Sequence, residues 1–311
     1  MSLGDATPTD SDVRAAFRRA TAAVSGRSAG LVAPLLLFDL LVFVVPFGYL
    51  VRISLTEQAT AQAFVEGTWS LDGYRFIAES ATIRREFVFT LGFAAVVTAL
   101  AVGIGLVYAY AMWRAEGPLR VALVAGVLVS MFTAIVVKLF AAVLVFSPNG
   151  VLNAALVGSG VIAAPLTLVN NVPGAVIAQL YIVVPYAVLA TFSVLATVDE
   201  SLVEAARDLG ASRPRAFLAV VLPHTVPGLL VAGVIAFTWS VGSYAAPLLL
   251  GSGSERTVGI EVADLLLQEF DWSAAAALAV VVTTTVIAAL TLAYLLMRRQ
   301  GGASAEVAAD G

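Results

Sequence analysis

The sequence has 311 residues, of which 60% are apolar and only 12% are charged, and its formal net charge is −4. Ordinary soluble domains carry about 25% charged residues, so this chain has too few charges to cover a surface in water. The absence of cysteine and the presence of a single histidine, His224, exclude disulfides, thiolate chemistry and a multi-histidine metal site.

Six apolar stretches follow one another along the chain, and each is near the length of about 20 residues that crosses a bilayer core. They cover residues 31–51, 88–112, 121–146, 174–197, 226–250 and 274–297. The first one follows a polar tail and is interrupted by Asp39, which is not typical of a cleaved signal peptide. We therefore predict an all-α, polytopic membrane protein with six transmembrane helices.

The arginines orient this predicted bundle. With the N-terminus inside, eleven arginines lie in cytoplasmic segments and five lie on the opposite face. Because basic residues are enriched in cytoplasmic loops, we expect a multi-pass protein of the cell (inner) membrane with both termini in the cytoplasm. Residues 1–30 and 298–311 are then cytoplasmic tails, and residues 31–297 form the transmembrane domain. The charge distribution contains no basic patch that would suggest nucleic acid as a partner.

Two sequence features indicate how the helices pack. Ala101, Gly105 and Ala109 recur every four residues, which is the small-residue pattern that lets helix backbones approach closely. Pro46 and Pro185 lie inside the first and fourth spans, where each removes a main-chain hydrogen-bond donor. Neighbouring groups must then satisfy the carbonyls that these prolines leave free.

The most distinctive polar segment is the inner loop between the fourth and fifth spans. Residues 199–209 predict a short helix, and Gly210 can adopt the left-handed conformation that ends one. Ser212 can cap the next turn. A second short helix is then predicted to reach Leu222, with Pro223 turning the chain into the fifth span. Two short helices here suggest a docking element, and an ordinary polar loop is the alternative.

This loop resembles a known motif. Glu204-Ala205-Ala206, with Gly210 six residues after the glutamate and Leu222-Pro223 further on, is similar to the EAA loop of binding-protein-dependent ABC transporter permeases. Residues similar to those of spermidine/putrescine-type permeases recur over residues 31–297. The sequence departs from that subfamily at Met131, where proline is usual, and in the aromatic-rich run after Lys138.

The resemblance implies the permease subunit of a type I ABC importer, whose loop forms coupling helices in a groove of a cytoplasmic ATPase. The residues that would make this contact are Glu204, Ala205, Ala206, Asp208, Gly210 and Arg213. It also implies two ATPase subunits that hold ATP and magnesium, a second permease subunit, similar or identical, and an extracytoplasmic solute-binding protein. Because its only lysine is not part of a phosphate-binding loop, the chain is not expected to hydrolyse ATP by that route. As a transport subunit it is expected to be no enzyme and to hold no cofactor.

Polar residues inside the spans are candidates for the solute path. They are Lys138, Gln179, Ser240, Ser243 and Tyr244. Lys138 is expected to face an outward vestibule or to snorkel, since a charge in mid-membrane is costly, and similar permeases usually carry an arginine there. Asp39 is expected to face inward, at a height along the bundle too different for an ion pair with Lys138.

The nature of the solute stays open in the sequence. The resemblance suggests a small solute, polyamine-like in type. An ion-coupled secondary transporter is the transport alternative, and it would require an internal repeat of the spans. A membrane scaffold or a membrane hydrolase is the alternative from another class, although the sequence offers no catalytic constellation for the latter.

Overall fold

The computed structural model describes residues 27–58, 64–65 and 67–309, and the described residues form helices joined by turns and loops. Most of the predicted N-terminal tail, residues 1–26, lies outside them. The chain forms two compact units that divide between Ile53 and Ser54.

The first unit contains helices α1 (Arg27–Asp39) and α2 (Val45–Ile53), joined by a π-helical turn, Leu40–Val44. The N–H of Val45 bonds to the carbonyl oxygen of Leu40, five residues earlier. The next residue is Pro46, which has no N–H to donate. The wider turn therefore absorbs the hydrogen-bond mismatch that the proline creates, and the helix continues through it.

The second unit is a helical bundle. Its helices are α3 (Asp72–Glu79), α4 (Ala81–Arg114), α5 (Gly117–Phe132), α6 (Ile135–Phe146), α7 (Val151–Gly158), α8 (Val172–Leu195), α9 (Glu200–Asp208), α10 (Arg213–Ala216), α11 (Leu222–Val241), α12 (Ala245–Leu250), α13 (Val258–Leu267) and α14 (Trp272–Ala309). A second π-helical turn, Phe217–Val221, joins α10 to α11. Helix α14 continues through residues 298–309, which the sequence analysis assigned to a tail.

Six segments within the described part of the chain are long and apolar enough to cross a membrane, which confirms the predicted number. These spans, one to six in chain order, are Ala33–Ile53, Ala81–Arg114, Ile135–Gly158, Val172–Leu195, Arg213–Val241 and Trp272–Thr291.

Two of the predicted spans have the wrong boundaries. The predicted span of residues 121–146 is broken into α5 and α6, because Thr133 and Ala134 take extended conformations with ψ of 129° and 137°. The predicted span of residues 226–250 begins earlier, at Arg213, and its helix ends at Val241, before a break at residues 242–244. Hydropathy does not mark either break, since the residues on both sides are apolar.

Helices α4, α8 and α11 form the centre of the bundle. Ala101 and Ala109 are fully buried, and a Cβ atom added to Gly105 would lie 3.2 Å from Ala187 on α8. The predicted small-residue face of α4 therefore does allow the close approach of two helix backbones. Pro185 lies inside α8 without ending it.

Candidate functional sites

The predicted docking helix of the inner loop is α9. The Asp199 side chain caps its N-terminus by accepting a hydrogen bond from the N–H of Ser201 at 2.9 Å, and this bond lowers the pKa of Asp199 below its ordinary value. At the other end, Gly210 has a φ of 89°, and the N–H of Ala211 bonds to the Ala206 carbonyl oxygen at 3.1 Å. The predicted left-handed glycine is therefore confirmed as the end of a Schellman motif.

The second predicted helix of this loop is not a separate one. Arg213–Ala216, the π-helical turn and α11 follow one another without interruption, so that Pro223 does not turn the chain. The N–H of Leu222 bonds to the carbonyl oxygen of Phe217, five residues earlier, directly before the proline. The wide turn makes room for Pro223 as the first wide turn does for Pro46, and the helix of span five extends into the loop.

The residues predicted to contact an ATPase all lie at the surface of this loop. Glu204, Ala205, Asp208, Gly210 and Arg213 are exposed, and Ala206 is half-buried. A polar groove of about 360 Å³ runs between α9 and the end of α4, with Glu200, Arg207 and Arg114 among its lining residues. The surface therefore offers charges of both signs and a concave element next to them.

Helix α9 is anchored to the ends of three spans. Val203 packs against a buried cluster that includes Trp113 of α4, Leu195 of α8 and Val221 of span five. The ring of Tyr110 meets that of Phe217 edge-on, with 4.9 Å between the ring centroids. Helix α9 therefore contacts the ends of spans two, four and five through one buried cluster.

Sequence reasoning missed Leu209 at the end of α9. Its side chain is 90% exposed although it is apolar and lies beside the turn formed by Gly210. Among the large apolar side chains of the described residues, that of Leu209 is the most exposed. The signal was present in the sequence as an isolated leucine among charged and small residues.

The candidate path residues fall into two groups, and α8 lies between them. The side-chain amide of Gln179 donates to the carbonyl oxygen of Trp239 on α11 at 3.3 Å. Lys138 on α6 instead packs against Tyr181, with its Nζ atom 3.5 Å from the Tyr181 carbonyl oxygen and 5.3 Å from the ring centroid. Because two residues turn a helix by about 200°, Gln179 and Tyr181 lie on opposite sides of α8.

Lys138 is buried, so of its two expected positions snorkelling is wrong, and facing an outward vestibule stays a prediction. Its side chain is 2% exposed and lies one turn into α6, just after the break at residues 133–134. That break starts a new helix at Ile135 and places Lys138 against the flank of α8. A largely apolar cavity of about 250 Å³ lies on the same flank, lined by Tyr181, Pro185 and residues of α4 and α5.

The other group surrounds the break at residues 242–244. Ser240 is fully buried and Ser243 is 6% exposed, and neither hydroxyl has a hydrogen-bond partner among the described residues. Tyr244 is exposed at the start of α12. Gln179 of span four therefore contacts span five at Trp239, next to Ser240 and the break, whereas Lys138 lies on the other side of α8.

A polar segment, Arg256–Gly259, holds this break in place, and sequence reasoning did not identify it. The Thr257 hydroxyl donates to the carbonyl oxygen of Ser243 at 2.9 Å. The N–H of Val258 donates to the Thr90 hydroxyl of span two, also at 2.9 Å. A Cβ atom on Gly259 would lie only 2.6 Å from the Ser243 carbonyl oxygen, so this approach requires glycine.

Arg256 begins that segment and pairs with three carboxylates. Its guanidinium lies 3.7 Å from Glu86 and 3.6 Å from Glu261, and it donates to Asp264. Burial alone would lower the pKa of Arg256, but the hydrogen bond and charge of Asp264 and the other two carboxylates raise it above its ordinary value. Residues 256–264 are therefore tied to span two by charge as well as by hydrogen bonds.

Comparison with known proteins shows what the chain is similar to. Residues 156–301 match the family of binding-protein-dependent transport system inner membrane components. The spermidine/putrescine transport system permease protein PotB of Haemophilus influenzae is 26% identical over 183 residues, which are 59% of this chain and 64% of that protein. The PotB of Escherichia coli K12 is 25% identical over 210 residues, 68% of this chain and 76% of that protein.

A shorter match and a solved structure show further similarity. The molybdenum transport system permease protein ModB of Escherichia coli K12 is 41% identical over 88 residues, 27% of this chain and 38% of that protein. The crystal structure of a bacterial ABC transporter involved in alginate import contains a chain with the same fold. Its TM-score is 0.72 at 17% identity, over 87% of this chain and 94% of that one.

The described residues therefore contain six helices that are long and apolar enough to cross a membrane, and an exposed helix–glycine loop anchored to three of them. Residues 156–301, slightly less than half of the chain, match the family of binding-protein-dependent transport system inner membrane components, and the chain is similar to spermidine/putrescine permease subunits. The match spans somewhat less than two thirds of the Haemophilus relative's length.

Proposed function

We propose that this chain is the transmembrane subunit of an ATP-driven importer, forms the path of a small solute, and is moved by a separate ATPase through α9. The observation that carries this proposal is the anchoring of an exposed helix to spans two, four and five through Val203. A loop that only connected two spans would not need that buried cluster.

The coupling is mechanical. The ATPase would displace α9 when it closes on nucleotide. The residues that it would bind are Glu204, Ala205, Ala206, Asp208, Gly210 and Arg213. The cluster below α9 is close-packed, so it transmits a displacement of the helix rather than absorbing it. The spans would then rock between inward-open and outward-open states. ATP and magnesium would bind to the ATPase, and this chain would contribute neither a catalytic group nor a cofactor.

The remaining partners follow from the same family resemblance. Two ATPase subunits, a second permease subunit, similar or identical, and an extracytoplasmic solute-binding protein would complete the importer. One solved alginate transporter is described in complex with a pentasaccharide-bound periplasmic protein, which supports a binding protein as a partner here. The solute would be polyamine-like, which the two PotB relatives support. The path residues of this proposal are Gln179, Ser240, Ser243, Tyr244 and Lys138.

The coupling proposal is tested by purifying the tagged chain from membranes of its host. The wild-type preparation should contain an ATPase subunit and hydrolyse ATP. The double variant Glu204→Gln/Gly210→Val should lose both, whereas Glu79→Gln, which changes an exposed glutamate of α3, should keep them. A wild-type preparation that transports solute without any ATPase would contradict the proposal and favour a secondary transporter.

Orientation has a test of its own, because a cysteine-free chain gives clean single-cysteine variants. Ser201 of α9 and Val161, in the loop after α7, are both exposed. A membrane-impermeant maleimide should label Val161→Cys in intact cells, and it should label Ser201→Cys only after permeabilisation. Labelling of Ser201→Cys from outside would refute the cytoplasmic docking of α9.

A further inference from the structure

We infer that the break of span five, together with Trp239 and Tyr186, recognises a protonated amine of the transported solute. The inference rests on the proposed transport function and adds the chemistry of one solute-binding site to it. The site combines an aromatic pair, a helix end and two hydroxyl groups, and it lies away from the positive charge of Lys138.

The aromatic pair provides a face for a cation. Tyr186 of α8 and Trp239 of α11 are stacked, with 5.6 Å between the ring centroids and an interplanar angle of 25°. Trp239 is nevertheless 39% exposed, so the pair is open on one side. The face of an indole ring carries negative electrostatic potential and attracts ammonium groups. Gln179 holds the Trp239 main chain from α8, which fixes the position of the pair.

The helix end next to this pair favours the same sign of charge. Helix α11 ends at Val241, two residues after Trp239, and the chain then passes through residues 242–244 before α12 begins. The C-terminus of a helix carries a partial negative charge, and interrupted membrane helices use such ends to bind cations. A Cβ atom on Gly242 would come no nearer than 3.7 Å to its surroundings, so there is free space beside Gly242 itself.

The hydroxyl groups of Ser240 and Ser243 supply oxygen atoms that can accept hydrogen bonds. Both side chains are more than nine-tenths buried and neither hydroxyl has a protein partner in the described part of the chain. Buried polar groups in proteins are nearly always paired, so an unpaired couple at a helix break points to a ligand. Each hydroxyl oxygen can accept from an ammonium N–H as the break opens during transport.

The positive charge of Lys138 lies elsewhere. Lys138 contacts α8 through Tyr181, on the side opposite to Gln179 and Tyr186. Residues 172–195 and 222–250, which build the proposed site, contain neither a carboxylate nor a lysine or arginine. An amine would therefore be recognised by dipoles and aromatic faces, whereas an oxyanion would meet the unfavourable end of α11.

The test is equilibrium binding of radiolabelled spermidine and putrescine to the reconstituted permease–ATPase complex without binding protein. We expect saturable binding of an amine that equimolar molybdate does not displace. Trp239→Leu should weaken this binding about tenfold, and Trp239→Phe, which keeps an aromatic face, should weaken it less. Trp272→Leu, which removes a tryptophan of similar exposure at the start of α14, should leave it unchanged.

Ser243→Ala keeps the inference falsifiable if Trp239→Leu does not assemble. It removes one unpaired hydroxyl with almost no change of volume, and it should weaken amine binding several-fold. Absence of saturable binding of either amine to the wild type, or equal binding by wild type and both variants, would overturn the inference. ATPase co-purification is measured on the same samples, so a failure of the proposed coupling can be distinguished from a failure of amine binding.

Discussion

The Thr257 hydroxyl donates a hydrogen bond to the Ser243 carbonyl oxygen over 2.9 Å and joins the break of span five to the segment before α13. Both residues are buried, and Gly259 approaches the same carbonyl so closely that any side chain would collide with it. The next N–H, that of Val258, bonds to Thr90 of span two. The geometry of the break therefore depends on residues of the segment that leads into α13 and, through Thr90, on span two.

Replacing Thr257 by valine tests that dependence. The change keeps the shape of the side chain and removes the donor, so the buried Ser243 carbonyl loses its partner. We expect the free energy of unfolding to fall by about 1–3 kcal/mol. Thermal unfolding in detergent measures the effect, and Thr257→Ser, which keeps the hydroxyl, should lie closer to the wild type. Equal stability of all three proteins would show that water replaces the hydroxyl at this site.

The ion-pair cluster of Arg256 gives a second prediction. Replacing Arg256 by glutamine leaves Glu86 nearly buried without its cation, and because Arg256 is partly exposed the cost should be about 1–3 kcal/mol, between the values for exposed and for buried pairs. The melting temperature should fall clearly. The double variant Glu86→Gln/Arg256→Gln should recover part of the loss, because the unpaired charge is gone.

The exposed pair of Arg75 and Asp72 is the matched control for that cycle. Its two side chains are 72% and 69% exposed, and solvent-exposed ion pairs contribute little to stability. Arg75→Gln should therefore leave the melting temperature almost unchanged. If Arg75→Gln and Arg256→Gln lowered stability equally, or if the double variant recovered nothing, burial of the Glu86 charge would not be the cause.

The parts of the fold that depend on local sequence patterns could be predicted from the sequence. Six spans follow from the length of apolar segments, and the close contact of α4 with α8 follows from Ala101, Gly105 and Ala109. The end of α9 at Gly210 also follows, because a glycine after a helical segment indicates a left-handed residue. In each of these cases the signal is local and has one physical explanation.

The features that depend on contacts far apart in the sequence could not be predicted. The break after Val241 depends on Thr257 and Gly259, and the position of Lys138 depends on a break at residues 133–134 between two equally apolar helices. Pro223 was expected to turn the chain because proline usually ends a helix. A π-helical turn directly before it preserves the helix instead, and single-residue propensities do not encode that solution.

Gly210 gives a prediction that separates folding of the loop from folding of the bundle. Alanine at a φ of 89° is strained by about 1 kcal/mol, which should loosen the end of α9 without changing the buried cluster. We expect reduced ATPase co-purification and an unchanged melting temperature of the permease. Gly158→Ala, at the exposed end of α7 where a Cβ atom meets nothing, should behave as the wild type. Normal ATPase co-purification by Gly210→Ala would show that the loop tolerates another ending.

Leu209 should contribute to ATPase binding through its apolar area. Covering such a side chain stabilises a complex by about 2 kcal/mol, so Leu209→Ser should weaken ATPase association by more than tenfold. Val161→Ser, which removes an apolar side chain of similar exposure from another loop, serves as the control. Association constants measured by titrating the purified ATPase onto immobilised permease would decide the matter. Equal constants for the two variants would remove Leu209 from the docking surface.

Lys138 gives the last prediction, because it is the one lysine of the chain and is buried against Tyr181. A buried ammonium group carries a desolvation cost that methionine, of similar length, does not carry. Lys138→Met should therefore assemble at least as stably as the wild type. If the charge serves the solute path, solute uptake by proteoliposomes should nevertheless fall several-fold, while Lys138→Arg retains most of it. Uptake by Lys138→Met equal to the wild type would mean that Lys138 is outside the path and that its ammonium group is only tolerated beside Tyr181.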